Sequence, residues 1–237
     1  MNLIEHSVNN QGVTIHCLEY HKSTSQTPIV IVPGVTNSAE EIAQDLQRKL
    51  NHYHVIISLR GRGKSQAPEV GYSLEDQASD VVAVITHLQI SECFLFGYSV
   101  GVPIAIKAAT QLAPRVKAVI LGDYAPFYPS FDKSWAARVK EDDPLISNKL
   151  LYGLVADSKF TNLVPDLKSL DIPVLLLKAG QKNSAFPIEA IPKFKESIPK
   201  GVVDILSDRD HDIFSPSPNK LIERLNAFIT HLETTTT

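Results

Sequence analysis

Apolar and polar residues alternate over positions 3–8 and again over 13–19, on either side of Asn9-Asn10-Gln11-Gly12. A period of two broken by a polar, glycine-ended turn predicts an antiparallel hairpin at a sheet edge. Positions 21–27 are polar and read as loop. The pattern then changes. Positions 28–32, 54–58, 93–98, 116–121, 174–177 and 202–206 are short apolar runs rich in branched side chains. Such runs are expected of strands covered on both faces. Between them, 40–50, 73–88, 100–112, 187–197 and 217–231 carry apolar residues at helical spacing. Ser73-Leu74-Glu75-Asp76 supplies a helix cap with acid in the first turn. A hairpin followed by alternating strands and helices predicts an α/β fold with a mainly parallel sheet and right-handed crossovers.

One stretch breaks the alternation. Positions 124–171 hold Tyr124, Phe127, Tyr128, Phe131, Trp135, Tyr152 and Phe160 on an interrupted helical period. Forty-eight residues are few for an independent core, so this segment is expected to be a helical lid inserted into a single domain. Positions 232–237, ending in four threonines, are expected to form a disordered tail.

Composition narrows the function. At 237 residues, with 43% hydrophobic and 21% charged, the chain suits one globular domain. A net charge of -3 provides no basic field for nucleic acid. No apolar stretch approaches the length of a membrane span, and the first residues lack the basic and apolar regions of a secretory leader. Cys17 and Cys93 lie in strand-like runs and read as buried free thiols. A cytoplasmic location fits these features. No His/Cys/Asp/Glu spacing suits a metal and no dinucleotide fingerprint is present, so no cofactor is expected.

The chemistry concentrates where strands end. The run at 93–98 passes directly into Gly97-Tyr98-Ser99-Val100-Gly101 and then into a small-residue helix. Gly-x-Ser-x-Gly between strand and helix is the form of a nucleophile elbow, with Ser99 at its apex. Pro33-Gly34-Val35-Thr36 follows one buried strand, and Arg60-Gly61-Arg62-Gly63-Lys64-Ser65 follows the next. The latter lacks P-loop spacing and reads as a structural turn. Asp123 closes the strand at 116–121, and Asp210-His211-Asp212 precedes the last helix. In an open α/β sheet, ligands bind beyond these strand ends.

Together these motifs resemble the α/β-hydrolase-fold superfamily, in the manner of its serine esterases and lipases, over almost the whole chain. The resemblance implies an eight-stranded, mostly parallel sheet flanked by helices. It implies Ser99 as nucleophile and His211 as general base. It also implies oxyanion donors on the backbone of Val35 and Val100. The family usually places its acid after the strand that here ends at 177, and Asn183 stands there. Some members place the acid one strand earlier, where this chain has Asp123. Asp123 is therefore expected to orient His211, with Asn183 as the alternative and the neighbouring Asp210 and Asp212 less well placed.

A serine hydrolase of a small ester, thioester or lactone is expected, working through an acyl-enzyme on a small molecule with an apolar or aromatic portion. Thr36, Tyr124, Phe127, Tyr128 and Trp135 are candidate pocket residues. The absent acid at Asn183 keeps open a ligand-binding receptor with slow or no turnover. A lyase using the same Ser/His pair also stays open. Nothing in the sequence identifies a protein partner.

Overall fold

The computed structural model describes residues 2–21, 26–46 and 49–235. In chain order the elements begin with β1 (Asn2–Asn10), β2 (Val13–His21), β3 (Ile29–Val32), α1 (Ala39–Asp45) and β4 (His54–Ser58). Next come α2 (Leu74–His87), β5 (Cys93–Tyr98), α3 (Gly101–Leu112) and β6 (Val116–Gly122). The segment after β6 contains β7 (Phe127–Tyr128), α4 (Lys133–Asp142), α5 (Asn148–Asp157), β8 (Thr161–Asn162) and α6 (Val164–Ser169). The chain closes with β9 (Val174–Ala179), α7 (Ile191–Ser197), β10 (Gly201–Leu206) and α8 (Asn219–Thr235).

Eight strands form one sheet in the order β1-β2-β4-β3-β5-β6-β9-β10. β2 runs antiparallel to both β1 and β4, and the remaining pairs are parallel. The hairpin turns through Gln11 and Gly12, both at positive φ. β1 is thus the edge strand, and β2 lies one place inside it.

Alternation along each strand divides the core in two. Val30, Val32, Leu95, Val119, Leu121 and Leu176 face α2 and α3 in one apolar cluster. Ile29, Ile31, Phe94, Phe96, Ile120 and Leu177 face the opposite way, into a cluster shared with α1 and α8. Each face needs its own helix layer, which is why the strands read as continuous apolar runs. Ser38 and Ser73 cap α1 and α2 as capping boxes with Glu41 and Asp76.

Several boundaries differ from expectation. The helix expected over 40–50 ends at Asp45, although Leu46 and Leu50 are buried as its spacing implied. Positions 22–25 of the expected loop and 47–48 of that helix lie outside the described residues. The expected tail is corrected in part. Residues 232–235 continue α8, because the amphipathic period of Leu225, Ile229 and Leu232 keeps that helix on the sheet. Residues 236–237 lie outside the described residues.

The segment between β6 and β9 is helical as read, with a two-stranded ribbon of β7 and β8 at its base. Leu150, Leu151, Leu154 and Leu163 join the same apolar cluster as α2 and α3. Two contacts tie the segment to the loop after β4. Asp157 accepts from the backbone N–H groups of Gly71 and Tyr72 at 3.1 and 2.8 Å. Gly153 lies against the Tyr72 ring so closely that a β-carbon there would stand 2.1 Å from the ring.

Candidate functional site

Ser99 sits on the turn from β5 into α3 with φ of 52°. A non-glycine residue at positive φ costs about 1–3 kcal/mol, and the surroundings hold it there. Its N–H donates to the Gly122 carbonyl at 2.9 Å, and its carbonyl accepts from Val102 N–H at 2.9 Å. The flanking glycines are steric requirements. A β-carbon at Gly97 would lie 2.5 Å from the Gly101 carbonyl oxygen, and one at Gly101 would lie 2.2 Å from that of Val32. These clashes are with backbone, so no rotamer change relieves them.

Three side chains from three elements meet here. His211 Nε2 lies 2.9 Å from Ser99 Oγ, and His211 Nδ1 lies 2.8 Å from Asp123 Oδ2. Asp123 is an acceptor only, so Nδ1 carries the proton and Nε2 presents its lone pair to the serine hydroxyl. Asp123 has φ of 49° and is fully buried. Its Oδ1 accepts from Ala179 N–H at 2.8 Å and Ser184 Oγ at 2.6 Å. Its Oδ2 also accepts from Ala185 N–H at 2.9 Å. A buried carboxylate is tolerated only when its lone pairs are filled, and four donors fill these.

Asn183 stands in the same β9–α7 loop but is exposed, and its N–H donates to Asp210 Oδ1 at 3.1 Å. The loop that commonly carries an acid in the resembled family therefore serves Asp123 here with backbone and hydroxyl donors. Among the described residues, Asp123 makes the hydrogen bond to His211, and neither Asn183 nor Asp210 does. Asp212 instead accepts from Phe214 and Ser215 N–H in its own loop.

His211 has a further support that the sequence did not reveal. The Tyr98 hydroxyl donates to the His211 carbonyl at 2.9 Å, and the two rings stack with centroids 5.4 Å apart. Burial, and then the carboxylates of Asp212, Asp123 and Asp45, push the Tyr98 phenol well above its ordinary range. It stays protonated and remains a donor. The visible signal was an aromatic residue immediately before the elbow serine.

The loop after β3 lies beside the serine. A β-carbon at Gly34 would stand 2.6 Å from Asn37 Oδ1 but in ordinary contact, 3.4 Å, with Ser99 Cβ, so the glycine makes room for the loop's own turn beside the serine. The Val35 carbonyl accepts from Arg62 Nε at 2.8 Å. Arg62 is buried, and burial pushes its guanidinium down to about 10, still charged at neutral pH. Val100 is the N-cap of α3, so its N–H lies at the helix end next to Ser99. Val35 and Thr36 are half-buried, and Ser38 is taken up by capping.

The aromatic candidates pack largely on one another. Tyr124 meets Phe127 at 5.4 Å, Phe127 meets Phe160 at 5.7 Å, and Trp135 meets Phe131 at 4.2 Å between ring centroids. Tyr124, Phe127 and Trp135 stay half-buried. Tyr128 is fully buried and its hydroxyl accepts from Gln77 Nε2 at 2.7 Å, which places it in the packing of the segment on α2. The Arg60 loop is a clamp: Arg60 Nε and Nη2 donate to the buried Asp80 carboxylate at 2.9 and 2.7 Å. Cys17 and Cys93 are buried and unbridged, and burial pushes both thiols up to about 12. Among the described residues, no cluster suits a metal and no helix is long and apolar enough to cross a membrane.

An eight-stranded sheet with a serine elbow after β5 defines the α/β-hydrolase fold. The α/β-hydrolase-fold family model matches residues 27–143. With the structural neighbours, this shows that the chain has the α/β-hydrolase fold. An N-formylmaleamate deformylase of Pseudomonas putida is 32% identical over 49% of this chain and 44% of its own length. The matched region thus spans less than half of that relative. A 2-(acetamidomethylene)succinate hydrolase of Mesorhizobium japonicum is 22% identical over 83% of this chain and 85% of its own. Among solved structures, an esterase from Exiguobacterium antarcticum superposes with a TM-score of 0.76 at 20% identity, covering 94% of this chain and 98% of that one.

Proposed function

We propose that the protein is a serine hydrolase that cleaves a small ester, thioester or lactone through an acyl-enzyme. The observation that carries this reading is the hydrogen-bonded line Ser99–His211–Asp123. Ser99 Oγ attacks the substrate carbonyl carbon while His211 Nε2 takes its proton. The same nitrogen returns the proton to the leaving oxygen or sulfur as the carbonyl bond to it breaks. Water then attacks the acyl-enzyme, His211 again accepting and returning one proton, and the acid product departs. Asp123 keeps the imidazole oriented and stabilises its protonated form.

The N–H groups of Val35 and Val100 are the donors for the developing oxyanion. Each donor of this kind contributes about 3 kcal/mol to transition-state stabilisation. Residues 124–171 act as the lid. Thr36, Tyr124, Phe127 and Trp135 are the residues available to touch an apolar or aromatic substrate portion, and no cofactor takes part. Relatives named deformylase, hydrolase and esterase support transfer of an acyl group to water. A receptor without turnover drew its support from Asn183; a carboxylate against His211 favours the hydrolase instead.

A serine-directed fluorophosphonate is expected to label the protein once, and Ser99→Ala to remove both labelling and hydrolysis of short acyl esters. Folded wild-type protein that resists the reagent and turns over no ester, thioester or lactone would overturn the proposal.

A further inference from the structure

Behind the acid lies a buried lysine that the hydrolytic scheme does not use. Residues 174–179 form a fully buried strand, and Lys178 is the one charged residue in it, only 3% exposed. Its ammonium donates to Ser184 Oγ at 3.1 Å and to the Ala179 carbonyl. Among the described residues, no carboxylate lies within 4.0 Å of it. A buried cation without a compensating anion is costly. The carboxylate one hydroxyl away is Asp123.

The hydrogen inventory of Ser184 gives the network a direction. Its oxygen lies near Lys178 Nζ, Phe186 N–H at 3.2 Å, the Phe186 carbonyl at 2.9 Å and Asp123 Oδ1 at 2.6 Å. The ammonium and the amide can only donate, so the hydroxyl accepts from both. It has one proton to give, and the shorter contact is to the charged acceptor. The chain of donation therefore runs from Lys178 to Ser184 to Asp123 and ends at the carboxylate that faces His211.

We propose that Lys178, acting through Ser184, is a positioning residue that holds Asp123 as an oriented carboxylate against His211. The proposal rests on the serine-hydrolase reading for its effect on rate, but not for its effect on the imidazole. The cation disfavours a second positive charge on His211. Lys178→Met removes that cation, and Ser184→Ala removes the donor that draws charge from the Asp123 carboxylate; either change makes the imidazolium easier to form, so the base loses its lone pair at a higher pH. The other titratable groups near the imidazole are Tyr98 on β5, which stacks on it, and Asp210 and Asp212 on its own loop, with Asp45 at the end of α1 acting on Tyr98 and Asp212. They are unchanged in every variant below.

The test compares Lys178→Met, Ser184→Ala and Ser184→Thr with wild type by two readouts. One is the His211 titration followed by NMR, its resonance identified by its loss in His211→Gln. The other is the pH profile of ester hydrolysis. Lys178→Met and Ser184→Ala are expected to move the His211 titration and the acid limb of kcat/KM to higher pH. They should also lower kcat by about tenfold or more, below the ~10⁴-fold ceiling set by loss of the acid itself, with KM changed less than about twofold. Ser184→Thr keeps the hydroxyl and should restore both. Should Lys178→Met fail to fold, the Ser184 pair in the half-exposed loop carries the test alone. An unmoved His211 titration, or Ser184→Thr behaving like Ser184→Ala, would overturn the relay. Hydrolysis that survives Ser99→Ala would instead overturn the hydrolase reading, while the NMR titration still judges the relay.

Discussion

Asp123 illustrates how a side chain acquires a role from its surroundings. As a residue type at a strand end it is ordinary; here it is a buried carboxylate whose four donors come from Ala179 at the end of β9, from Ser184 and Ala185 in the following loop, and from His211. Asp123→Asn should keep the shape but put an amide group where His211 Nδ1–H or the backbone donors need an acceptor. A loss of kcat approaching 10⁴-fold is expected at neutral pH, by analogy with removal of the acid in other triads. Asn183→Ala should leave kcat within about twofold of wild type, since its side chain is exposed and the His211 ring bonds to Asp123 and Ser99 instead. Steady-state kinetics on one short ester checks both; the opposite ranking would transfer the acid's role to Asn183. Ser99, His211 and both alternatives for the acid were legible as residue types at strand ends. The choice between Asp123 and Asn183 was not, because it depends on which loop folds over which carboxylate.

Elements place these side chains, and their own stability depends on contacts away from the site. The loop from 59 to 65 is held by Arg60, which binds Asp80 of α2 through both side chain and backbone, while Asn10 of the hairpin donates to the same carboxylate at 2.8 Å. One ion pair therefore joins β4, α2 and the edge hairpin, and Asp80 is fully buried. Asp80→Ala leaves the buried guanidinium with only the more distant Asp76 carboxylate, 3.8 Å away, and should destabilise the fold by about 3 kcal/mol. The paired replacement Arg60→Met with Asp80→Leu should cost less than the single change. Urea unfolding of both variants decides this, and equal losses would mean that packing rather than charge compensation sets the cost. The strands were the most legible elements, since burial on both faces leaves a run of branched residues that few other structures tolerate. Helix ends were less so. α1 stops at Asp45 although Leu46 and Leu50 continue its apolar spacing, and both are buried, so the apolar period marks burial rather than the helix end.

For the whole molecule, one buried histidine links stability to pH. His54 is stacked on Tyr20 and donates from Nδ1 to the His52 carbonyl at 2.7 Å. Burial pushes its pKa down from 6.5 to about 4, against the opposing effect of that hydrogen bond. A folded pKa below the unfolded one means the unfolded chain binds the proton first. The contribution of neutral His54 is therefore full above pH 6.5 and is lost as pH falls from 6.5 toward 4, by up to about 3 kcal/mol. His54→Gln should flatten that part of the stability curve, as measured by denaturation at pH 7 and pH 5; an unchanged slope would assign the acid sensitivity elsewhere. At this scale the order of apolar runs, turns and helical periods was enough to determine an α/β fold with a mainly parallel sheet, and the resemblance of the strand-end motifs to the α/β-hydrolase superfamily nominated Ser99 and His211. Those properties are local or repeat along the chain, and hydrophobic burial turns them directly into layers. Tertiary structure alone decided which carboxylate meets the imidazole, that Tyr98 supports His211 from behind, and that Tyr128 turns into the packing on α2. Each of these depends on the meeting of segments far apart in sequence, where a difference of a few ångströms separates a hydrogen bond from none.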